Sequence, residues 1–173
     1  MNHRLPLVFG LLALTGCSPN HLTAEQAVAY MIFGLEEGTL LASVKDAPAF
    51  HQTSSAPLTY VAGNPPAKVT VTFTRTDDCN YAVDFGLGEQ SLLMSVDFSK
   101  LSAVSIIEQK EMGLPKHGTN LIGAQMACIK GAPGCEQLQH STSWPFRFED
   151  KDPSRLPEIV TYFQTNFCRG RPA

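Results

Sequence analysis

Residues 68–86 read KVTVTFTRTDDCNYAVDFG, and this stretch decides the fold class. Val69, Val71 and Phe73 alternate with Thr70, Thr72 and Thr74. A period of two is the mark of a strand with one buried and one wet face. Asp77-Asp78-Cys79-Asn80 is a turn by composition, after which Tyr81, Val83 and Phe85 alternate again until Gly86 and Gly88 close the strand. Leu92, Met94 and Val96 make a third strand, Val104 and Ile106 a fourth. Four short strands in succession, joined by tight turns, predict an antiparallel meander.

Working outward toward the C-terminus, Lys110 to Thr119 is polar and loop-like, and Leu121 to Ile129 reads as another strand. It runs into CIKGAPGC, residues 128–135. Pro133-Gly134 suits the centre of a type II turn, with proline presetting φ and glycine accepting a positive one. A hairpin there would set Cys128 close to Cys135. WPFRF, residues 144–148, is the last short strand. Asp152 or Ser154 then caps a final helix, with Pro157 inside its first turn, where a missing N–H is tolerated. Leu156, Ile159, Val160, Phe163 and Phe167 fall on one stripe of that helix, and Gly170 ends it. An aromatic stripe of this kind is expected to cover a sheet.

Toward the N-terminus, residues 39–67 carry Pro48, Pro57, Pro65 and Pro66 and predict a connector with at most one short strand, around Leu58 to Ala62. Upstream, Thr23 is placed as an N-cap, with Gln26 completing a capping box and Leu22 stapling against Ala27. Ala24, Ala27, Val28, Met31 and Leu35 follow at helical spacing, Tyr30, Ile32 and Phe33 widen the apolar face, and Gly38 is the expected stop. The polar side of this helix lacks the Lys and Arg of helices that lie in a membrane surface, so it is expected to pack on its own domain.

The N-terminus itself is a different kind of segment. Met1 to Arg4 is polar with a positive charge at Arg4, and Leu5 to Leu14 is a ten-residue apolar run. That run is too short to span a bilayer, which takes roughly 20 apolar residues, and it has the charge and length of a secretory signal. It ends in Leu14-Thr15-Gly16-Cys17, which resembles the lipobox of bacterial lipoproteins. The resemblance implies removal of residues 1–16, a diacylglycerol on the Cys17 thiol and acylation of the new amine. Several acyl chains make the attachment durable where one does not. Ser18 follows, and no Asp stands there to resemble an inner-membrane retention signal, so delivery to the outer membrane is implied. Residues 17–22 then form a lipidated tether. The five residues 18–22 reach at most roughly 17 Å, which holds a domain starting at Thr23 close to the headgroups.

The 173-residue chain, less its first sixteen residues, has the size of one domain, here 23–173. Loss of Arg4 makes it one charge more acidic than the formal −3 of the whole chain. No basic stripe suggests nucleic acid. Cys79, Cys128, Cys135 and Cys168 remain beside Cys17, an even number that reads as two disulfides in an exported chain. The turn at Pro133-Gly134 favours Cys128–Cys135, leaving Cys79–Cys168. Without a C-x-x-C or a His pair at ligand spacing, zinc is a poor alternative and no metal or cofactor is expected.

Chemistry is thin. The sequence carries no G-x-S-x-G, H-E-x-x-H, P-loop or dinucleotide fingerprint. His21, His51, His117 and His140 are scattered; His51 is near Ser54 and Ser55 in sequence, but triad geometry is spatial. Asp77 and Asp78 fit a solvated turn, and Asp84 and Asp97 the polar faces of strands. No catalytic residue is assigned. The expected architecture is α+β: an antiparallel sheet of six to seven strands, an N-terminal helix and a C-terminal amphipathic helix packed on it. From Lys68 to Phe167 the order of elements resembles the pleckstrin-homology-like barrel in layout alone, which implies no function. Two functions fit: a non-enzymatic binding, assembly or inhibitory module held at the membrane with an envelope protein as partner, or a hydrolase of envelope polymers using His51, Ser54 or the Asp residues.

Overall fold

The computed structural model describes residues 21–42, 46–108, 117–131, 135–148 and 151–169. Helix α1 (Ala24–Phe33) begins at the expected capping box. Thr23 Oγ1 accepts from the Gln26 N–H at 3.2 Å, and Gln26 Oε1 accepts from the Thr23 N–H at 2.9 Å. From there Ala24 and every residue from Ala27 to Phe33 are buried. A helix apolar all round belongs inside a domain, and AEQAVAYMIF is such a sequence. It ends at Gly34, four residues before the expected Gly38. Gly34 takes φ +66° and turns its N–H back to the Ala29 and Tyr30 carbonyls, a left-handed cap that glycine adopts without strain. Gly38, also at positive φ, serves the next turn.

The strands form two sheets. β1 (His51–Ser55), β2 (Leu58–Ala62), β3 (Val69–Arg75), β4 (Asn80–Leu87), β5 (Gln90–Asp97) and β8 (Gln125–Lys130) make a six-stranded antiparallel sheet in the order β1-β2-β3-β4-β5-β8. β6 (Ala103–Glu108), β7 (His117–Ile122) and β9 (Ser143–Arg147) make a three-stranded one in the order β6-β7-β9. The α+β class stands, with the strands divided between a sheet of six and a sheet of three where one sheet of six to seven was expected. β3-β4-β5 is the meander read from KVTVTFTRTDDCNYAVDFG, with Val71 opposite Phe85 and Phe73 opposite Val83 on the buried face. The meander stops there. The fourth strand, β6, crosses to the small sheet, and β8 takes the place beside β5.

Three local features explain the differences. Leu121 to Ile129 is two strands because Gly123, at φ +89°, breaks it; a Cβ at that position would sit 2.0 Å from the Lys100 carbonyl oxygen. The segment expected to be a loop up to Thr119 already begins pairing at His117, opposite Glu108. Residues 39–67 hold a hairpin, not a single strand, because β1, HQTSS, is an exposed edge strand with no apolar alternation to announce it.

Helix α2 (Leu156–Asn166) follows a 3-10 turn over Pro153–Arg155, whose Ser154 N–H is capped by Asp152. Leu156, Ile159, Val160 and Phe163 are buried, and Phe167 is half-buried at the C-cap. Phe163 packs 5.4 Å from Phe98 and 5.9 Å from Tyr81, ring centre to ring centre. The stripe is core, lying against α1, β6 and the Tyr81–Phe98 end of the large sheet. Gly170, the expected stop, lies outside the described residues.

A helix buried on every side must find partners for its last carbonyls, and α1 finds them on the small sheet. Arg147 Nη1 donates to the Tyr30 and Met31 carbonyls at 3.2 and 3.1 Å, and Thr119 Oγ1 donates to that of Ile32 at 2.7 Å. The Phe148 N–H donates to Phe33 at 2.8 Å, and Thr39 Oγ1 to Gly34 at 3.3 Å. Apart from aromatic residues, Thr39, Thr119 and Arg147 are the buried polar or charged residues among the described ones, and all three serve this helix exit. The guanidinium also places a positive charge at the negative end of the helix dipole, over the Tyr30 ring at 5.5 Å. Aromatic packing then closes the core: Phe33 meets Phe73 of the large sheet at 5.7 Å and Trp144 of the small one at 5.2 Å.

Candidate functional site

Cys17, the lipidation candidate, lies outside the described residues, as do the signal segment and the Pro133-Gly134 turn. The four other cysteines pair as expected, Cys79 with Cys168 and Cys128 with Cys135, at Cα separations of 4.8 and 5.4 Å. Their settings differ. Cys79–Cys168 ties the turn between β3 and β4 to the end of α2. Cys135 stands on a 3-10 turn (Cys135–Leu138) and not on the return strand of a hairpin, so the local bond staples that turn to β8. Disulfides persist in oxidising, extracytoplasmic compartments. No helix among the described residues is long and apolar enough to cross a membrane.

The polar candidates are held by local partners. The His51 imidazole, at the start of β1, meets Glu37 through Nδ1 at 2.7 Å. The other Glu37 oxygen accepts from the Gln52 N–H at 2.7 Å, and Gln52 Oε1 accepts from Gln26 Nε2 at 3.3 Å. The Gln52 N–H and the His51 ring together hold the Glu37 carboxyl below the usual carboxylate range. Glu37 and His51 are 62% and 70% exposed, so water screens the pair.

Ser54 lies on the same strand. Thr53 is a bulge: His51 pairs with Val61 and Ser54 with Thr59, which puts both side chains on the outer face of the sheet. Ser54 Oγ accepts from the Ala56 N–H at 3.3 Å. The aspartates sit elsewhere. Asp77 Oδ1 accepts from the Cys79 and Asn80 N–H groups, both at 2.8 Å, forming the β3–β4 turn. Asp78 meets Arg75 at 2.5 Å, Asp97 caps the Ser99 N–H, and Asp84 is exposed opposite Thr72. His117 is half-buried on β7, and His140 takes φ +62° in the turn that returns to β8. Of all these, the structure gives only His51 a carboxylate partner, Glu37, and Ser54 shares the strand and outer face of His51. Glu37 was not among the sequence candidates, because its link to His51 depends on the chain doubling back after α1.

No group of three or more His, Cys, Asp or Glu among the described residues could hold a metal ion. Four buried polar atoms have no partner among the described residues: the Tyr81 hydroxyl, His117 Nδ1, the Trp144 indole N–H and Arg155 Nε. Burial pushes the Tyr81 phenol far above its ordinary range, and it pushes Tyr60 up to about 12, with Glu37 and Glu36 adding to the shift. Both phenols therefore stay protonated near neutral pH. No protein family, curated protein or solved structure matches this chain.

Proposed function

We propose that the chain is a lipid-anchored lipoprotein of the bacterial cell envelope, acting as a non-enzymatic binding, assembly or inhibitory module on the outer membrane. The observation that carries this reading is Leu14-Thr15-Gly16-Cys17 at the end of a ten-residue apolar run, a few residues before α1 starts at Ala24. The two disulfides agree with an exported chain. The histidines and aspartates serve turns, strand ends and a solvent-exposed pair, which is how polar side chains are used on a binding scaffold.

Mass spectrometry of the N-terminal peptide tests the anchor. Diacylglyceryl-Cys17 is expected as the first residue, and Cys17→Ser should abolish lipid attachment; an unmodified mature N-terminus in the wild type refutes it. Affinity capture of the native lipoprotein from its own envelope then tests the module, with a stoichiometric envelope protein as the expected product.

One observation favours the second reading, a hydrolase of envelope polymers. Glu37 holds the His51 ring by one nitrogen, as the orienting carboxylate of a Ser–His–acid triad does, and Ser54 shares its strand and face. Polymer hydrolysis by the purified protein that vanishes in both His51→Ala and Ser54→Ala would establish that reading in place of the first.

A further inference from the structure

We infer that the free edge of β6 pairs antiparallel with β6 of a second copy of this chain. The inference comes from comparing the four strand edges that the two sheets leave open. An open edge presents unpaired N–H and C=O groups to any passing strand, and proteins blunt it with polar residues, bulges, proline or a cover.

Three of the four edges carry such a device. β1 is HQTSS, polar throughout, with the bulge at Thr53. β8 is closed over by the turn that follows it, through the Met126–Ser141 bridge and the His140 N–H donating to the Met126 carbonyl at 2.9 Å. β9 has Pro145 at its centre, which removes a donor. β6, AVSIIE, has neither a bulge nor a proline, and its polar residues are only Ser105 and the terminal Glu108. It contains no Lys, Arg, Pro or Gly, and it pairs with β7 over all six residues, Ala103 with Ile122 through Glu108 with His117, without a bulge. Helix α2 lies alongside this segment, but its hydrogen bond there, Gln164 Nε2 to the Leu101 carbonyl at 2.6 Å, falls before the strand begins. Among the described residues nothing but β7 hydrogen-bonds to the β6 backbone.

The residue pattern commits this edge to a copy of itself. In a two-fold antiparallel pair, residues that face each other lie on the same side of the sheet, so the dyad must pass through a residue and not between two. With the dyad at Ser105, Val104 opposes Ile106 and Ala103 opposes Ile107, while Glu108 faces Ser102. Every apolar side chain then meets an apolar one, β-branched pairs fall on the inner face, and no like charges face each other. The isologous contact closes after two copies and joins the two small sheets into one of six strands, β9-β7-β6-β6-β7-β9. The inference is independent of lipidation.

Two measurements on the full chain in detergent test it. Ser105→Cys places two thiols across the dyad, and mild oxidation should convert the protein to a covalent dimer on a non-reducing gel, while the wild type stays monomeric on the same gel. By light scattering the wild type should be a dimer, and Ser105→Lys, which opposes two ammonium groups, should raise the dissociation constant about ten-fold, equivalent to about 1.4 kcal/mol. Because Ser105 is half-exposed, its melting temperature should hold, which separates lost pairing from lost folding. A monomeric wild type, or a dimer that Ser105→Lys leaves intact and Ser105→Cys fails to cross-link, overturns the inference; the second result would assign association to another face, and capture of a different protein by a monomeric chain would assign the edge to that partner.

Discussion

Replacing Arg147 with Met keeps the aliphatic stem and removes the donor that satisfies the end of α1. The Tyr30 carbonyl would keep its bond from the Gly34 N–H at 2.8 Å, but the Met31 carbonyl loses the 3.1 Å bond that the guanidinium supplies. A buried acceptor left without a partner costs about 1–3 kcal/mol, and losing a partly buried cation at a helix C-terminus costs up to about 2 kcal/mol more. Relief from burying the guanidinium offsets part of this, leaving a net destabilisation of about 3 kcal/mol. At about 2–4 °C per kcal/mol for a domain of this size, the melting temperature should fall by about 6–12 °C. The assay is a thermal melt followed by circular dichroism, with a urea titration beside it to check that the midpoint moves without a change in slope. Arg155→Met is the control. That residue also lies over the Tyr30 ring, at 5.4 Å, but it is only half-buried and its partner is the Glu36 carboxylate at 3.1 Å. Its loss should cost about 1 kcal/mol or less. Equal effects from the two arginines, or an Arg147→Met protein that melts with the wild type, would refute the claim that Arg147 holds the helix exit.

Phe163→Ala removes a ring packed against Tyr81, Phe98 and Phe167 and should cost about 3–5 kcal/mol in urea unfolding; a partner-contact role would leave the midpoint in place. Tyr81→Phe deletes a buried hydroxyl that has no partner among the described residues, so stability should rise by about 1 kcal/mol, and a fall would mean that the hydroxyl is paired. Glu37→Gln should be pH-dependent. The Glu37 carboxyl titrates lower in the fold than in the unfolded chain, so its stabilisation is present above the ordinary glutamate pKa and lost as pH falls through the depressed one. The difference between wild type and variant in urea, about 0.2–1 kcal/mol for so exposed a pair, should be seen at pH 6 and vanish toward pH 3.

What the sequence made legible were the features encoded by neighbours in the chain. The alternation in β3, β4 and β5, the Thr23 capping box and the Leu156–Phe163 stripe each express one local rule, and each appears as read. The misreadings lie where a distant contact overrides a local one. Gly34 ended α1 before Gly38 because the following segment must double back to lay Thr39 against the helix exit. β1 escaped notice because an edge strand wet on both sides has no hydrophobic period. The division into two sheets was hidden because β7 and β8 run together as one apolar stretch, and the break at Gly123, crowded by Lys100, sends them to different sheets. The Glu37–His51 pair was invisible for the same reason, since fourteen residues separate partners that share a bond.

The Cys79–Cys168 bond divides the chain into two parts that respond differently to being pulled. It closes a ring across 89 positions, containing β4 to α2, and that ring cannot lengthen when tension is applied to the two ends. A contour of roughly 300 Å, at 3.3–3.6 Å per residue, is thereby withheld from extension. Helix α1 and strands β1 to β3 lie outside the ring, so a load on the N-terminus is borne by the segment that fills the centre of the molecule. Under force only the chain outside the ring can extend, and the covalent ring keeps its own length until the bond is reduced. A single-molecule trace with and without reductant would read the ring directly as a jump in the length released.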